Sequence, residues 1–264
     1  MAGYSSKGAD GVLFSDEGLY TRFFCQLTIV HLLYFSITAY FNLCDGSLIH
    51  VLQAEAEALV LAANRSPKLL TVSLRPAGIF GEGDVQLIPP IINVYHTNRT
   101  GFQLGPNNNL FDFTYVLNVA HAHLLASLAL LHTSTLSTSP LDHEKVDGEA
   151  FLITNDEPVY FWDFARAVWK AAGSEKGTEH VWEISEDVGM AIGGILEWGM
   201  WLVGRTPKLT RRQVKYSCMT RYYDVGKAKR RLGYRPIVGL QKGIDTAVGY
   251  FNDEAKREGE KKGQ

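Results

Sequence analysis

The chain has 264 residues, 46% of them hydrophobic and 20% charged, with a formal net charge of -2. This is globular material, long enough for one large domain or two small ones, and the near balance of charge gives no global electrostatic reason to expect a nucleic-acid partner. Cys25, Cys44 and Cys218 lie far apart, with neither the Cys-x-x-Cys spacing of a zinc site nor the even set of a disulfide framework, so no metal site is expected and a reducing compartment fits.

In chain order, the N-terminal residues 1–20 mix Gly, Ser, Asp and Glu without a basic start and apolar core, so no cleavable signal peptide is expected. Residues 23–43 (FFCQLTIVHLLYFSITAYFNL) carry no formal charge, and the run is about as long as the roughly 20 apolar residues that a membrane span needs. Gln26, Thr28, His31, Ser36, Thr38 and Asn42 dilute it, and its aromatic and β-branched content suits a strand as well as a helix. Three readings stay open: a span, a buried apolar segment, and an insert foreign to the rest of the chain through gene misassembly. Leu52, Ala56, Leu59, Val60 and Ala63 then recur at helical spacing, and Asn64 followed by Pro67 closes that helix. The apolar run 69–74 is short enough for a buried parallel strand.

A helix over 118–132 follows, with Asn118 able to cap its first turn and Val119, Ala122, Ala126 and Leu130 on one face. Residues 134–140 read as a loop and 151–154 as a strand. Phe161, Phe164, Ala165, Val168 and Trp169 form a helical stripe that Gly173 can end. A final helix over 240–251 leads into a charged tail, 253–264, expected to fray. Strands alternating with helices argue for an α/β architecture.

Four stretches carry a more specific signal: LRPAGIFGEGD at 74–84, NNNLFDFTYVLNVAHAHLLAS at 107–127, ITNDEPVYFWDFARAVW at 153–169 and PKLTRRQVKYSCMTRYYDVGKAKRRLGYRP at 207–236. In this order and spacing they resemble the 3β-hydroxysteroid dehydrogenase family of extended short-chain dehydrogenases, within it the sterol-4α-carboxylate 3-dehydrogenases (decarboxylating). The resemblance implies an α/β fold corresponding to the C-terminal part of such an enzyme, an incomplete Rossmann sheet plus the substrate lobe, with the N-terminal Rossmann half missing. It divides the chain into a divergent segment 1–52, a family-like region 53–252 and the tail 253–264. It also implies NAD or NADP as cofactor, a sterol substrate oxidised at its 3-hydroxyl during sterol biosynthesis, and a place on the cytoplasmic face of the endoplasmic reticulum membrane.

In this family a tyrosine takes the proton of the sterol hydroxyl while hydride passes to the nicotinamide, and a lysine four residues on lowers the tyrosine's pKa. Counting back from the matching helix, Ile49 stands in the tyrosine's place and Gln53 in the lysine's. Neither does that chemistry, so a catalytically inactive, membrane-associated or sterol-binding remnant, or a truncated gene model, is the alternative reading. Ser6 is the candidate for the serine that hydrogen-bonds the substrate oxygen. Pro76, Ala77 and Gly78 match the backbone that lies against the nicotinamide carboxamide.

Two look-alikes are set aside. Tyr223-x-x-x-Lys227 comes too late in the chain and is read as structural, and Gly78-x-x-Gly81-x-Gly83 has the wrong order for a phosphate loop and is read as a turn. His121 and His123 cannot share a helical face, and Asp142, Glu144 and Asp147 are read as loop charges. Residues 188–204 are apolar, with Trp198 and Trp201, and precede Arg205, Lys208, Arg211, Arg212 and Lys215. That composition suits a segment lying on a membrane surface, the lid of a pocket for a large apolar ligand, or an ordinary core helix.

Overall fold

The computed structural model describes residues 46–66, 68–178, 181–204 and 209–262. Ser6 and the apolar run 23–43 lie outside them. The chain divides into two compact units, one holding Met1–Ser73, Leu130–Leu141 and Lys145–Glu149, the other Leu74–Ala129, Asp142–Glu144 and Ala150–Gln264.

In the first unit helix α1 (Gly46–Ala62) is longer than the expected helix at its N-terminal end. Leu52 and Leu59 of the expected apolar stripe are exposed. The chain turns after α1 at Arg65, whose φ of 65° is left-handed. Asn64 fixes this turn from both ends of its amide: Nδ2 donates to Asp147 Oδ2 (2.9 Å) and Oδ1 accepts the Thr71 N–H (3.0 Å). Arg65 Nε donates to the same carboxylate at 2.7 Å. Asp147, expected among solvated loop charges, is fully buried and paired instead. Sequence gave no warning because its partners lie more than eighty positions away. The Arg65 guanidinium holds the Asp147 carboxyl below its usual range.

The remaining elements are β1 (Val72–Pro76), β2 (Gly78–Phe80), α2 (Ile88–His96), β3 (Phe102–Leu104), β4 (Leu110–Phe111), β5 (Phe113–Tyr115) and α3 (Val116–Thr135). They continue with β6 (Glu149–Ile153), β7 (Val159–Tyr160), α4 (Phe161–Ala171), β8 (Trp182–Ile184), α5 (Glu186–Leu202), α6 (Arg211–Cys218), α7 (Gly226–Arg231) and α8 (Leu240–Lys262). Strands pair as β1 with β6, β2 with β5, β3 with β8 and β4 with β7. The β2–β5 and β3–β8 pairs are parallel and β4–β7 is antiparallel, so the α/β class expected from the sequence holds.

Aromatic packing centres the second unit. Phe113 stacks on Phe164 with ring centroids 3.6 Å apart, and Phe80 meets Phe164 edge-on at 5.3 Å. The α4 stripe Phe164, Ala165, Val168 and Trp169 is buried as its spacing predicts, and Leu240, Ile244, Ala247 and Val248 of α8 close the core. Removing such side chains from water contributes roughly 1.5 to 3 kcal/mol each. Helix α8 runs on to Lys262 instead of fraying after Phe251. Its last turns are built from Glu, Lys, Arg and Ala, which favour helix, and include a Lys256–Asp253 ion pair at i,i+3.

Asn118 is not the cap of α3, which starts two residues earlier; it lies fully buried inside the first turn. Its Oδ1 accepts the Ile237 and Val238 N–H groups (2.9 and 3.0 Å), while Nδ2 donates to Asn155 Oδ1 (2.8 Å) and the Val238 carbonyl (2.7 Å). Asn155 in turn accepts the Tyr115 N–H at 2.9 Å and donates to Val238 O at 3.1 Å. Two side chains thus satisfy the backbone of a loop more than eighty residues from either of them.

Asn118→Ala takes the side-chain acceptor away from the Ile237 and Val238 N–H groups, and should lower unfolding free energy by about 3 kcal/mol, whereas Gln241→Ala on the surface should stay within about 0.5 kcal/mol. Urea midpoints test this; equal shifts would remove the network's structural role. The Asp147 pair makes a second prediction. A carboxyl whose folded pKa is depressed stabilises above its unfolded value, near pH 4, and loses that contribution as pH falls through the folded value. Asp147→Asn should therefore lower the melting temperature more at about pH 7 than at about pH 3, and thermal melts at both pH values check it.

Candidate functional site

The segment Pro76-Ala77-Gly78 links β1 to β2 inside the second unit. Ala77 is buried and its N–H donates to the Ile153 carbonyl at 2.9 Å, while Gly78 pairs with Phe113 across the parallel ladder. A methyl group on Gly78 would stand 3.6 Å from Phe113 Cδ1, 3.6 Å from the Tyr216 hydroxyl and 3.7 Å from the Asp112 carbonyl. These are ordinary contact distances, so glycine here leaves a methyl-sized space under the tyrosine oxygen rather than relieving strain.

The glycines beyond it work differently. At Gly81 a Cβ would collide with Val116, and Gly83 takes a φ of 76°, so both are turn glycines. The Asp84 carboxylate accepts the N–H groups of Gln86 (2.7 Å), Leu87 (3.2 Å) and Ile88 (2.8 Å) at the start of α2. An anion of the protein's own therefore occupies that helix start, and the turn does not fit a dinucleotide pyrophosphate.

Around Gly78 the structure gathers side chains that the sequence did not single out. Helix α6 opens with a reciprocal capping box: Thr210 Oγ1 accepts the Gln213 N–H at 3.1 Å and Gln213 Oε1 accepts the Thr210 N–H at 2.9 Å. It packs against α5 where Gly189 and Gly193 allow close approach to Val214 and Arg211. This places Tyr216 over Phe111, with ring centroids 5.1 Å apart, and near Phe161 at 5.9 Å. Burial pushes the Tyr216 hydroxyl's pKa up, while Arg221 pulls it down.

The chain after α6 then docks onto β4: Arg221 N–H donates to Leu110 O at 2.8 Å and Asp112 N–H to Arg221 O at 2.9 Å. Asp112 Oδ2 accepts the Tyr223 N–H at 2.8 Å; Oδ1 is buried without a partner among the described residues, and burial raises the carboxyl's pKa. The Thr-x-x-Gln signature at 210–213 was the legible signal for this region. The meeting of Tyr216, Arg221 and Gly78 was not legible, since it depends on pairing between distant segments.

Ile49 and Gln53, the residues expected in the places of the family's tyrosine and lysine, fall on α1 one helical turn apart. Gln53 is exposed, and the described side chains begin after Ile49. Tyr223 and Lys227 diverge: the tyrosine hydroxyl accepts from Arg221 Nε at 2.7 Å, and Lys227 Nζ donates to the Ala150 carbonyl at 2.8 Å while lying over the Phe151 ring. They form no dyad. His123 Nδ1 lies 2.8 Å from its own helix's Val119 carbonyl, and no group of three or more metal-ligating side chains occurs among the described residues.

Comparison with known proteins places this geometry in a lineage. The sequence matches the 3-beta hydroxysteroid dehydrogenase/isomerase family over residues 39–184. It is 45% identical over 202 residues to the decarboxylating sterol-4-alpha-carboxylate 3-dehydrogenase of Saccharomyces cerevisiae, covering 76% of this chain and 55% of that protein. The Homo sapiens protein of the same description is 33% identical over 204 residues, covering 74% of this chain and 50% of its own length. The chain thus spans about half the length of these curated relatives. In solved structures the fold is similar to UDP-glucose 4-epimerase of Thermotoga maritima, at 18% identity and a TM-score of 0.50, covering 78% of this chain and 53% of that one. The chain belongs to the 3-beta hydroxysteroid dehydrogenase/isomerase family.

Proposed function

We propose that this chain carries the sterol-binding lobe of a decarboxylating sterol-4α-carboxylate 3-dehydrogenase, an enzyme that acts in sterol biosynthesis with NAD or NADP. The observation that carries the reading is the 45% identity to the yeast enzyme over 202 residues. In that chemistry a bound nicotinamide would supply the hydride acceptor for the C-3 hydrogen, and the hydroxyl proton would go to a base. The 3-ketone so formed sits beside the C-4 carboxylate, and carbon dioxide departs with its bonding electrons left on the steroid. Pro76, Ala77 and Gly78 are the segment proposed to lie against the carboxamide, and Ser6 the proposed contact to the substrate oxygen.

A second reading rests on Ile49 and Gln53. With neither a phenol nor an ammonium at those positions the chain binds sterol without oxidising it, since loss of a general base alone costs on the order of 10²- to 10⁴-fold in rate. This is the behaviour we expect of the purified chain. Calorimetric titration should show no saturable NAD or NADP binding at about micromolar cofactor, whereas a 3β-hydroxysterol in micelles should quench tryptophan fluorescence saturably. NADH formation with that sterol would restore the catalytic reading, and absence of any sterol binding would remove both.

The membrane surface completes the proposal, and helix α5 supports it. Gly189 and Gly193 are its buried residues, whereas Ile195, Trp198, Trp201 and Leu202 are exposed by 69, 67, 75 and 60%. Such a face is no core helix. Laid on the cytoplasmic face of the endoplasmic reticulum it lets apolar burial and attraction between nearby basic residues and anionic lipid add together. Replacing both Trp198 and Trp201 by Ser should weaken partition into anionic vesicles by roughly tenfold or more. In flotation assays, unchanged partition would move the anchor away from α5, with residues 23–43 the next segment to delete.

A further inference from the structure

Several arginines of the fold have an opposite charge within reach. Arg65 reaches Asp147, Arg166 reaches Asp163 and Arg211 reaches Glu197. Arg221 is half-buried yet reaches no carboxylate among the described residues; its Nε donates to the Tyr223 hydroxyl, and Nη1 and Nη2 have no described partner. A guanidinium keeps its charge at any physiological pH and presents its donors as a planar fork matched to two oxygens.

Its position is fixed. The backbone of Arg221 is hydrogen-bonded on both sides to β4 and its neighbour, through Leu110 O and the Asp112 N–H. The guanidinium carbon lies 5.9 Å from the centroid of the Phe111 ring and 5.9 Å from that of Tyr223. Tyr216 borders the same cluster: its ring abuts Phe111, its hydroxyl feels the Arg221 charge, and that hydroxyl overhangs the methyl-sized space at Gly78 without a hydrogen-bond partner among the described residues. Two kinds of unused donor therefore border one aromatic wall, next to the segment proposed to face the nicotinamide.

We propose that Arg221 and the Tyr216 hydroxyl receive the C-4 carboxylate of the sterol, making Arg221 the residue that selects the carboxylated sterol over its uncharged relatives. The inference rests on the sterol reading above and adds the carboxylate's place to it. Arg221 donates to the two carboxylate oxygens, and Tyr216 donates one further hydrogen bond. The half-buried rings of Phe161 and Tyr216 give the steroid skeleton an apolar surface. Neutralising an otherwise unpaired half-buried cation is favourable here, whereas a methyl group at C-4 would leave the fork desolvated and unsatisfied. Recognition is of a carboxylate and not of a larger anion, because a single arginine and one phenol supply the donors.

The test compares two probes on the full chain: a 3β-hydroxysterol carrying a carboxylate at C-4 and its counterpart with a methyl group there, each titrated in neutral-detergent micelles. The wild-type chain should prefer the acid by roughly ten- to a hundredfold, Arg221→Met should abolish that preference by weakening the acid and binding the methyl sterol at least as tightly as the wild type does, and Arg221→Lys should retain part of it. Tyr216→Phe should cost a few-fold on the acid only and, since it adds no bulk, stands in for Arg221→Met if that variant fails to fold. Equal affinity of the wild-type chain for both probes, or a preference that survives both Arg221→Met and Tyr216→Phe, overturns the proposal while the sterol reading stands. Failure of the wild-type chain to bind either sterol overturns both.

Discussion

Everything near the candidate site hangs on the burial of two amides, Asn118 and Asn155. Each is essentially inaccessible to water, and between them they satisfy the backbone at Tyr115, Ile237 and Val238. A buried peptide group without a partner costs more than an ordinary hydrogen bond gains, so this network permits very few arrangements of the chain. It ties the end of β5, the turn after β6 and the loop before α8 to one another. The aromatic core then packs on strands whose register is already decided, and Gly78 comes opposite Phe113 because β2 must pair with β5 in that register.

The same rigidity explains how charge is distributed. Asp147 and Arg65 settle one buried charge inside the first unit. In the second unit the Arg221 backbone is bonded to β4 and its Nε to the Tyr223 hydroxyl, and the guanidinium meets no carboxylate among the described residues. A charged fork fixed without a counter-ion is a poor way to stabilise a fold. It is a reasonable way to await an anionic ligand. Helix α5 shows a parallel arrangement with apolar surface: its two buried glycines let α6 approach closely, which leaves the tryptophans pointing away from the protein.

The sequence disclosed the elements better than their purposes. The α4 stripe of Phe164, Ala165, Val168 and Trp169 is a local periodicity, and local periodicity survives into the structure. The family's motifs were legible because they are long and ordered, and the turn character of Gly81 and Gly83 followed from glycine spacing. Asn118 was read as a helix cap because its partners lie in a loop more than a hundred residues on, which no local rule reaches. Asp147 was read as a loop charge for the same reason, and the charged tail as frayed although its composition favours helix. Tyr216 and Arg221 went unmarked, since a lone tyrosine and a lone arginine acquire meaning only when strand pairing sets them beside Gly78 and Phe111.

The central claim is that sterol binds at the aromatic cluster around Gly78, and photoaffinity labelling tests it most directly. The full chain is irradiated with a diazirine-bearing 3β-hydroxysterol, with and without excess unlabelled sterol, and the modified peptides are mapped. The account predicts competable label on Pro76, Gly78 and Phe161 and on residues 211–223. Label confined to the exposed face of α5, or label that unlabelled sterol does not displace, would contradict it.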